Sequence, residues 1–207
     1  MTRLLIARHG QTIWNTQRRY QGQTDSPLDE TGQRQAFDLG ERLSKVKLSA
    51  IFASDLGRAW NTAAATAAHQ DCPFIADPRL RELHYGEWQG MTYDEIRQGD
   101  PQRLAAWEAD RMKASPPGGE SLLQLAERVQ AAIECIQKAY PEGTVLVVSH
   151  AGPIKVLLSQ ALGLPPTAYW QFRLEHATLS VLSLYPQGGI LELLNDACHL
   201  GEATWGN

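Results

Sequence analysis

Apolar runs and apolar stripes alternate along the chain. Residues 4–7 (LLIA) form a short apolar run dense enough for a buried strand, almost at the first residue. Asp29 can cap a helix whose inner face carries Ala36, Leu39 and Leu43. Residues 50–53 predict a second strand, and Ser54 is placed to cap an alanine-rich helix running to about residue 69. A third, shorter strand is expected over 73–76. Residues 92–114 predict one or two short helices broken near Gly99 and Pro101, and residues 115–119 (SPPGG) a rigid turn. Ser121 with Gln124 has the spacing of a capping box, ahead of a stripe made by Leu122, Leu125, Val129, Ile133 and Ile136. Residues 144–149 (TVLVVS) are a β-branched run without alternation, as a strand covered on both faces requires. A helix is expected from about 152 to 162, then two strands over 179–184 and 190–194, joined at 186–189.

This β-α-β-α order implies an α/β fold: a mostly parallel central sheet with helices on both faces, and an antiparallel strand near the C-terminal end. The chain shows no internal repeat or linker, and its 207 residues suit a single domain over 1–207. Within it, residues 78–119 lack a strong strand signal and are expected to form a cap over the C-terminal strand ends.

Charge and composition narrow the partners. A net charge of -4 and a pI near 5.9 argue against a nucleic-acid or membrane-surface binder, and leave room for a local basic pocket. Most of the basic residues are Arg, the side chain suited to two-pronged phosphate contacts. No apolar stretch approaches the ~20 residues that span a bilayer, and the first residues do not read as a signal peptide. Cys72, Cys135 and Cys198 have neither disulfide nor zinc spacing; Cys135 reads as a small buried hydrophobe on its helix, which fits a reducing compartment. The expectation is a soluble cytoplasmic protein, with apolar residues near the C-terminus that permit a homodimer.

In open α/β sheets, ligands collect at the carboxyl ends of the parallel strands. Here those ends carry Arg8-His9-Gly10, then Ser54-Asp55 with Arg58 just beyond, then Ser149-His150. Two histidines and two arginines therefore converge where a ligand would sit. A phosphate ester needs such a group: positive charge and donors for its oxygens, a nucleophile, and an acid for the leaving alkoxide. Arg8 and Arg58 supply fixed charge, His150 and Asn15 further donors, and helix N-termini near Ser54 and Gly152 a favourable dipole. A neutral His9 is a competent nucleophile, and Gly10 is expected to leave room beside it for the ester. The acid is sought in the cap, where Glu82 is the first candidate and Glu87 its rival. Asp25 and Asp29 are expected to shape a turn and cap a helix. His84, His176 and His199 are expected in structural or supporting places, as are Trp88 and Trp107.

The segment ARHGQTIWN resembles the signature of the histidine phosphatase superfamily, the cofactor-dependent phosphoglycerate mutase-like proteins. YQGQTDSPLDETG, FASDLGRAWNTA, RELHYGEWQGMT, PGGES and VVSHAG match family segments in the same order. The resemblance implies that family's three-layer fold, with His9 as the phosphorylated nucleophile. It implies that Arg8, Arg58 and His150 bind the phosphoryl group, and that Glu82 donates the proton. Asn15, Gln21 and Gly22, together with Ala151 and Gly152, would contact substrate. No cofactor or metal is implied, and the ligand would be a small phosphate ester.

Three features favour hydrolysis over the mutase reaction of the same family: the short chain, the Gly86-Glu87-Trp88 segment, and Ala151-Gly152 after the second histidine where mutases carry Gly-Asn. The tail LNDACHL resembles that of α-ribazole phosphatases, and Trp14, Tyr20, Tyr85, Trp88 and Trp107 can wall a leaving group. The mutase is the alternative reading. A non-catalytic phospho-ligand module is less favoured because His9, Glu82 and both arginines are all present. A serine hydrolase is disfavoured because VVSHAG lacks the first glycine of the nucleophile elbow.

Overall fold

Side chains on β1 (Thr2–Arg8) alternate between two separate cores, which is why its apolar run is unbroken. Leu4 and Ile6 face one layer of helices, while Leu5 and Ala7 face the other. In this computed structural model residues 1–201 are described, apart from the side chains of residues 166 and 167. The last six residues of the expected 1–207 domain lie outside them.

After β1 come a single helical turn α1 (Ile13–Thr16), α2 (Glu30–Leu43), β2 (Ala50–Ala53), α3 (Gly57–Ala67) and β3 (Phe74–Ala76). Two short helices, α4 (Tyr93–Gly99) and α5 (Pro101–Ala109), precede the long α6 (Leu122–Ala139), β4 (Thr144–Ser149) and α7 (Ala151–Ala161). A hairpin of β5 (Leu179–Tyr185) and β6 (Gly188–Asp196) comes next, and 3-10 turns fill Pro78–Leu80, Gly86–Trp88, Pro166–Gln171 and Cys198–Leu200. The sheet order is β3-β2-β4-β1-β5-β6, with the first four strands parallel, β5 antiparallel to β1, and β6 antiparallel to β5. The expected α/β architecture, mostly parallel with an antiparallel C-terminal end, is the observed one. Leu39, Leu43, Ala59 and Ala63 bring α2 and α3 to one face; α6 and α7 cover the other through Leu125, Val129, Ile136, Ile154 and Leu158.

Local signals set most helix starts. Asp29 accepts the Gly32 N–H, and Thr92 with Glu95 and Ser121 with Gln124 form reciprocal capping boxes. Two expectations fail for identifiable reasons. Ser54 does not cap α3: Leu56 occupies the cap position without a side-chain bond, and the Ser54 hydroxyl is engaged elsewhere. Cys135 is exposed, because the stripe through Leu125, Val129, Ala132 and Ile136 leaves it about 100° off the buried face. The three thiols are free and none is buried, so they say nothing about compartment. No helix among the described residues is long and apolar enough to cross a membrane.

Candidate active site

His9 continues the β1–β4 ladder one step past the strand, its N–H donating to Ser149 O at 2.9 Å. That backbone bond delivers its ring to the strand ends, where it is 3% exposed. Its Nδ1 lies 2.7 Å from Gly10 O, and a carbonyl can only accept, so Nδ1 carries the proton and Nε2 keeps its lone pair. Burial, with His150, Arg58, Arg8 and His176 close by, pushes the His9 pKa well below its ordinary value, so the ring is neutral. A neutral imidazole with Nε2 free is the form that can attack an electrophile.

His150 is fully buried, its ring centroid 5.1 Å from that of His9. The Ser54 hydroxyl accepts Leu56 N–H at 3.3 Å and stands 2.9 Å from His150 Nε2. With Ser54 donating to Nε2, the ring proton sits on Nδ1. Arg58 rises from the first turn of α3, 1% exposed; its Nη2 donates to Gly22 O at 2.6 Å and its Nη1 to Thr24 O at 3.0 Å. Gly22 offers that carbonyl from a left-handed conformation, φ +54°, that favours glycine. Arg8 donates from Nη1 to Leu174 O at 2.8 Å. Arg8 Nε, Arg58 Nε, His150 Nδ1 and His176 Nε2 are buried without a partner among the described residues. Unpaired buried polar groups of this kind are rare, and their concentration around two guanidinium groups is suited to an oxyanion.

Glu82 reaches the group from the segment between Pro78–Leu80 and Gly86–Trp88. Its carboxylate accepts Leu83 N–H at 2.8 Å and Gly152 N–H at 3.1 Å, so it sits on the N-terminus of α7. A Cβ on Gly152 would lie 2.2 Å from Glu82 Oε1, so the glycine is what lets the carboxylate approach. Glu87, the rival acid, is on the surface with Arg103 3.5 Å away. Arg81, close in sequence to both acids, is instead held bidentately by Asp55 at 2.7 and 2.5 Å.

Several expectations need correction. Gly10 does not make room for a ligand: a Cβ there would meet Gly32 O at 2.5 Å, so its role is close packing against the start of α2. The helix N-termini expected to face an anion are occupied by the protein's own carboxylates. Glu82 takes α7, and Asp25 takes α3 through Gly57 N–H at 2.6 Å and Arg58 N–H at 3.4 Å. Asp25 is therefore more than a turn residue; it also stands 3.4 Å from Arg58 Nη1. Asn15 spends its Oδ1 on the Thr12 cap of α1, which leaves its amide N–H groups. Gln21 is buried and Ala151 half-buried in the first turn of α7. Trp88 and Trp107 belong to the core, with only Tyr85 and Tyr20 stacked edge-on beyond them.

Three groups stand closer to the site than the sequence reading placed them. His176 brings its ring within 5.9 Å of His9, and burial beside Arg8 pushes its pKa down to about 2. It precedes β5, and an antiparallel strand begins where its parallel neighbours end; that is the signal that could have found it. The LNDACHL tail builds this loop. Asn195 Oδ1 accepts Glu175 N–H and the Thr178 hydroxyl, both at 2.7 Å, and Ala177 N–H donates to Arg8 O at 3.0 Å. Arg128 on α6 pins the acid's segment, donating to Arg79 O, Arg81 O and Glu82 O at 2.7, 2.6 and 2.8 Å while paired with Glu120. A helical Arg in an i+8 relation to a turn glutamate has no local signature.

Comparison with known proteins identifies the family. Residues 4–197 match the model of the histidine phosphatase superfamily, branch 1. Phosphoserine phosphatase 1 of Hydrogenobacter thermophilus is 34% identical over 98% of this chain and 96% of its own. A Klebsiella pneumoniae protein named "Probable phosphoglycerate mutase GpmB" is 37% identical over 97% of this chain and 95% of its own. The crystal structure of the α-ribazole phosphatase from Shigella flexneri superposes with a TM-score of 0.88 at 29% identity, covering 94% of this chain and 96% of that one. Because a mutase-named relative matches end to end, chain length does not separate phosphatase from mutase.

Proposed function

The chain belongs to the histidine phosphatase superfamily and is a phosphatase enzyme of it; we propose that it hydrolyses small phosphomonoesters without a metal, through a phosphohistidine on His9. The observation that carries this reading is the state of His9: neutral, Nδ1–H tied to Gly10 O, Nε2 free beside Arg8, Arg58 and His150. Phosphorus is attacked in line by Nε2, and the ester P–O bond breaks as Glu82 protonates the leaving oxygen. Glu82, now ionised, takes a proton from water; the water oxygen attacks phosphorus, the P–N bond breaks, and phosphate leaves. Arg8, Arg58 and His150 Nδ1–H hold the equatorial oxygens through both steps. Asn15, Gln21, Gly22 and Ala151 contact the ester. α-Ribazole 5'-phosphate is one candidate substrate, suggested by the structural relative; phosphoserine is another, suggested by the sequence relative. The mutase reading is favoured only by the names of relatives such as the Klebsiella protein.

Phosphate release from a panel of esters in EDTA, by wild type and His9→Ala side by side, tests the proposal. Wild type is expected to release phosphate from p-nitrophenyl phosphate, and the variant to fall by more than about 10⁴-fold. Equal rates, or isomerisation of 3-phosphoglycerate with no release, would overturn it.

A further inference from the structure

One buried polar atom at the strand ends has no task in the two-step reaction. It is His176 Nε2, which has no hydrogen-bond partner among the described residues. The loop that carries it into β5 is strained. Ala177, fully buried, has φ +53°, the left-handed region that a residue with a Cβ enters only at a cost.

Both backbone groups of Ala177 are bonded. Its N–H is shared between Arg8 O at 3.0 Å and His9 O at 3.3 Å. Its carbonyl accepts from His199 Nε2 at 2.9 Å, and Arg42 Nη1 donates to His199 Nδ1 at 2.7 Å, so the proton of His199 sits on Nε2. Asp196 pairs with Arg42 behind it. On either side of His176, Glu175 N–H and the Thr178 hydroxyl both donate to Asn195 Oδ1 at 2.7 Å. A strained residue persists where its surroundings over-determine it, and such residues gather where a functional group has to be aimed. What this loop presents is the His176 ring, 5.9 Å from that of His9. Arg8 is tied to the same segment through Leu174 O at 2.8 Å, so the guanidinium and the imidazole are fixed together.

His199 shows what a structural histidine looks like in this fold, with both ring nitrogens bonded within the chain. His176 differs: its Nε2 is buried and unbonded in the company of Arg8 Nε, Arg58 Nε and His150 Nδ1, which are unpartnered as well. Burial beside Arg8 keeps the ring neutral, and a neutral ring has one N–H to give.

We propose that His176 is a further catalytic residue, whose Nε2–H donates to the phosphoryl oxygen that Arg8 also holds. Residues 195–199 are then the support that keeps Ala177 left-handed and the ring in place. This deepens the phosphatase reading and rests on it.

A contact to the phosphoryl group, and not to the leaving alcohol, has its own signature. His176→Phe keeps a ring and removes the donor. Its kcat/KM is expected to fall about 10–100-fold, by the same factor on p-nitrophenyl phosphate and on an alkyl phosphate, as loss of a hydrogen bond to a charged group implies. Its Tm without ligand should hold or rise, since an unsatisfied buried nitrogen has gone. His176→Gln, whose amide can take the place of Nε2–H, should recover much of the rate; it also serves as the test if His176→Phe fails to fold. Asn195→Ala should cost less than His176→Phe and add nothing in that background, because it acts through the same ring. A His176→Phe loss under about three-fold, a loss confined to one ester, or a fall in Tm that tracks the fall in rate overturns the assignment. Additive losses in the double variant would remove residues 195–199 from it. Calorimetric titration of orthovanadate needs no turnover and separates the two ideas. If wild type hydrolyses no ester the phosphatase reading fails, while vanadate binding about ten-fold weaker in His176→Phe still upholds the contact, and equal binding refutes it.

Discussion

The phosphate end and the leaving-group end of this site are built differently. His9, Arg58 and His150 stand at the ends of three adjoining strands or one turn beyond, are at most 3% exposed, and are held by bonds to the sheet and α3. Glu82 comes from the connecting segment between Pro78–Leu80 and Gly86–Trp88, is only half-buried, and is held by two backbone N–H groups. The contrast is between a part whose geometry the core dictates and a part that can change without disturbing the core. Chemistry common to many esters suits the first; selection among esters suits the second.

That contrast can be broken, and the largest blow would come at Glu82. Glu82→Gln is expected to slow alkyl phosphates by about 10²–10⁴-fold and p-nitrophenyl phosphate far less, since nitrophenolate leaves without a proton. Equal losses on both substrates would remove Glu82 as the acid and leave the leaving-group end without chemistry of its own.

Acid should strike the phosphate end selectively. His9, His150 and His176 all have folded pKa values below the ordinary 6.5, with burial the largest cause. The unfolded chain therefore binds protons that the folded chain refuses once pH falls below about 6.5. Stability from these groups is complete above that pH and is lost as pH drops toward the folded values, about 2 for His176. Three such groups give a slope approaching about 4 kcal/mol per pH unit. Thermal melts from pH 8 to pH 5 would show it, and inorganic phosphate should lessen the drop by supplying counter-charge. A Tm that stays level over that range would mean these rings are not held neutral.

A smaller effect sharpens the same line. Gly152→Ala puts a methyl group 2.2 Å from Glu82 Oε1, the free end of a flexible side chain. The carboxylate should swing away at little cost in Tm, while alkyl-ester turnover falls by about 10–100-fold, as a displaced acid implies. Kinetics with alkyl esters beside a thermal melt would check it; a large loss of stability would place Gly152 with the rigid end instead.

Much of the rigid end is legible in the chain, because it rests on short-range pattern plus one topological rule. Apolar runs at 4–7, 50–53 and 145–148, short and rich in aliphatic or β-branched residues, suit strands buried on both faces, and parallel strands present the residues at their carboxyl ends along one edge. That rule by itself locates Arg8, His9, Arg58 and His150. The capping boxes of α4 and α6 are equally local. Cys135 and Ser54 depart from their expected places because a one-residue phase error on a helix, or three residues at its start, reverses what a side chain meets.

What the tertiary structure alone decided is which charges meet. Asp25 reaches the start of α3 across 32 residues, Arg128 grips the backbone of Glu82 across 46, and Asn195 shapes the loop of His176 from the far side of a hairpin. None of these has a period or a spacing, because each is made between segments that only the packed layers bring together. Pattern along a chain reports the medium a residue will occupy; its partners are set by the path the chain takes through three dimensions.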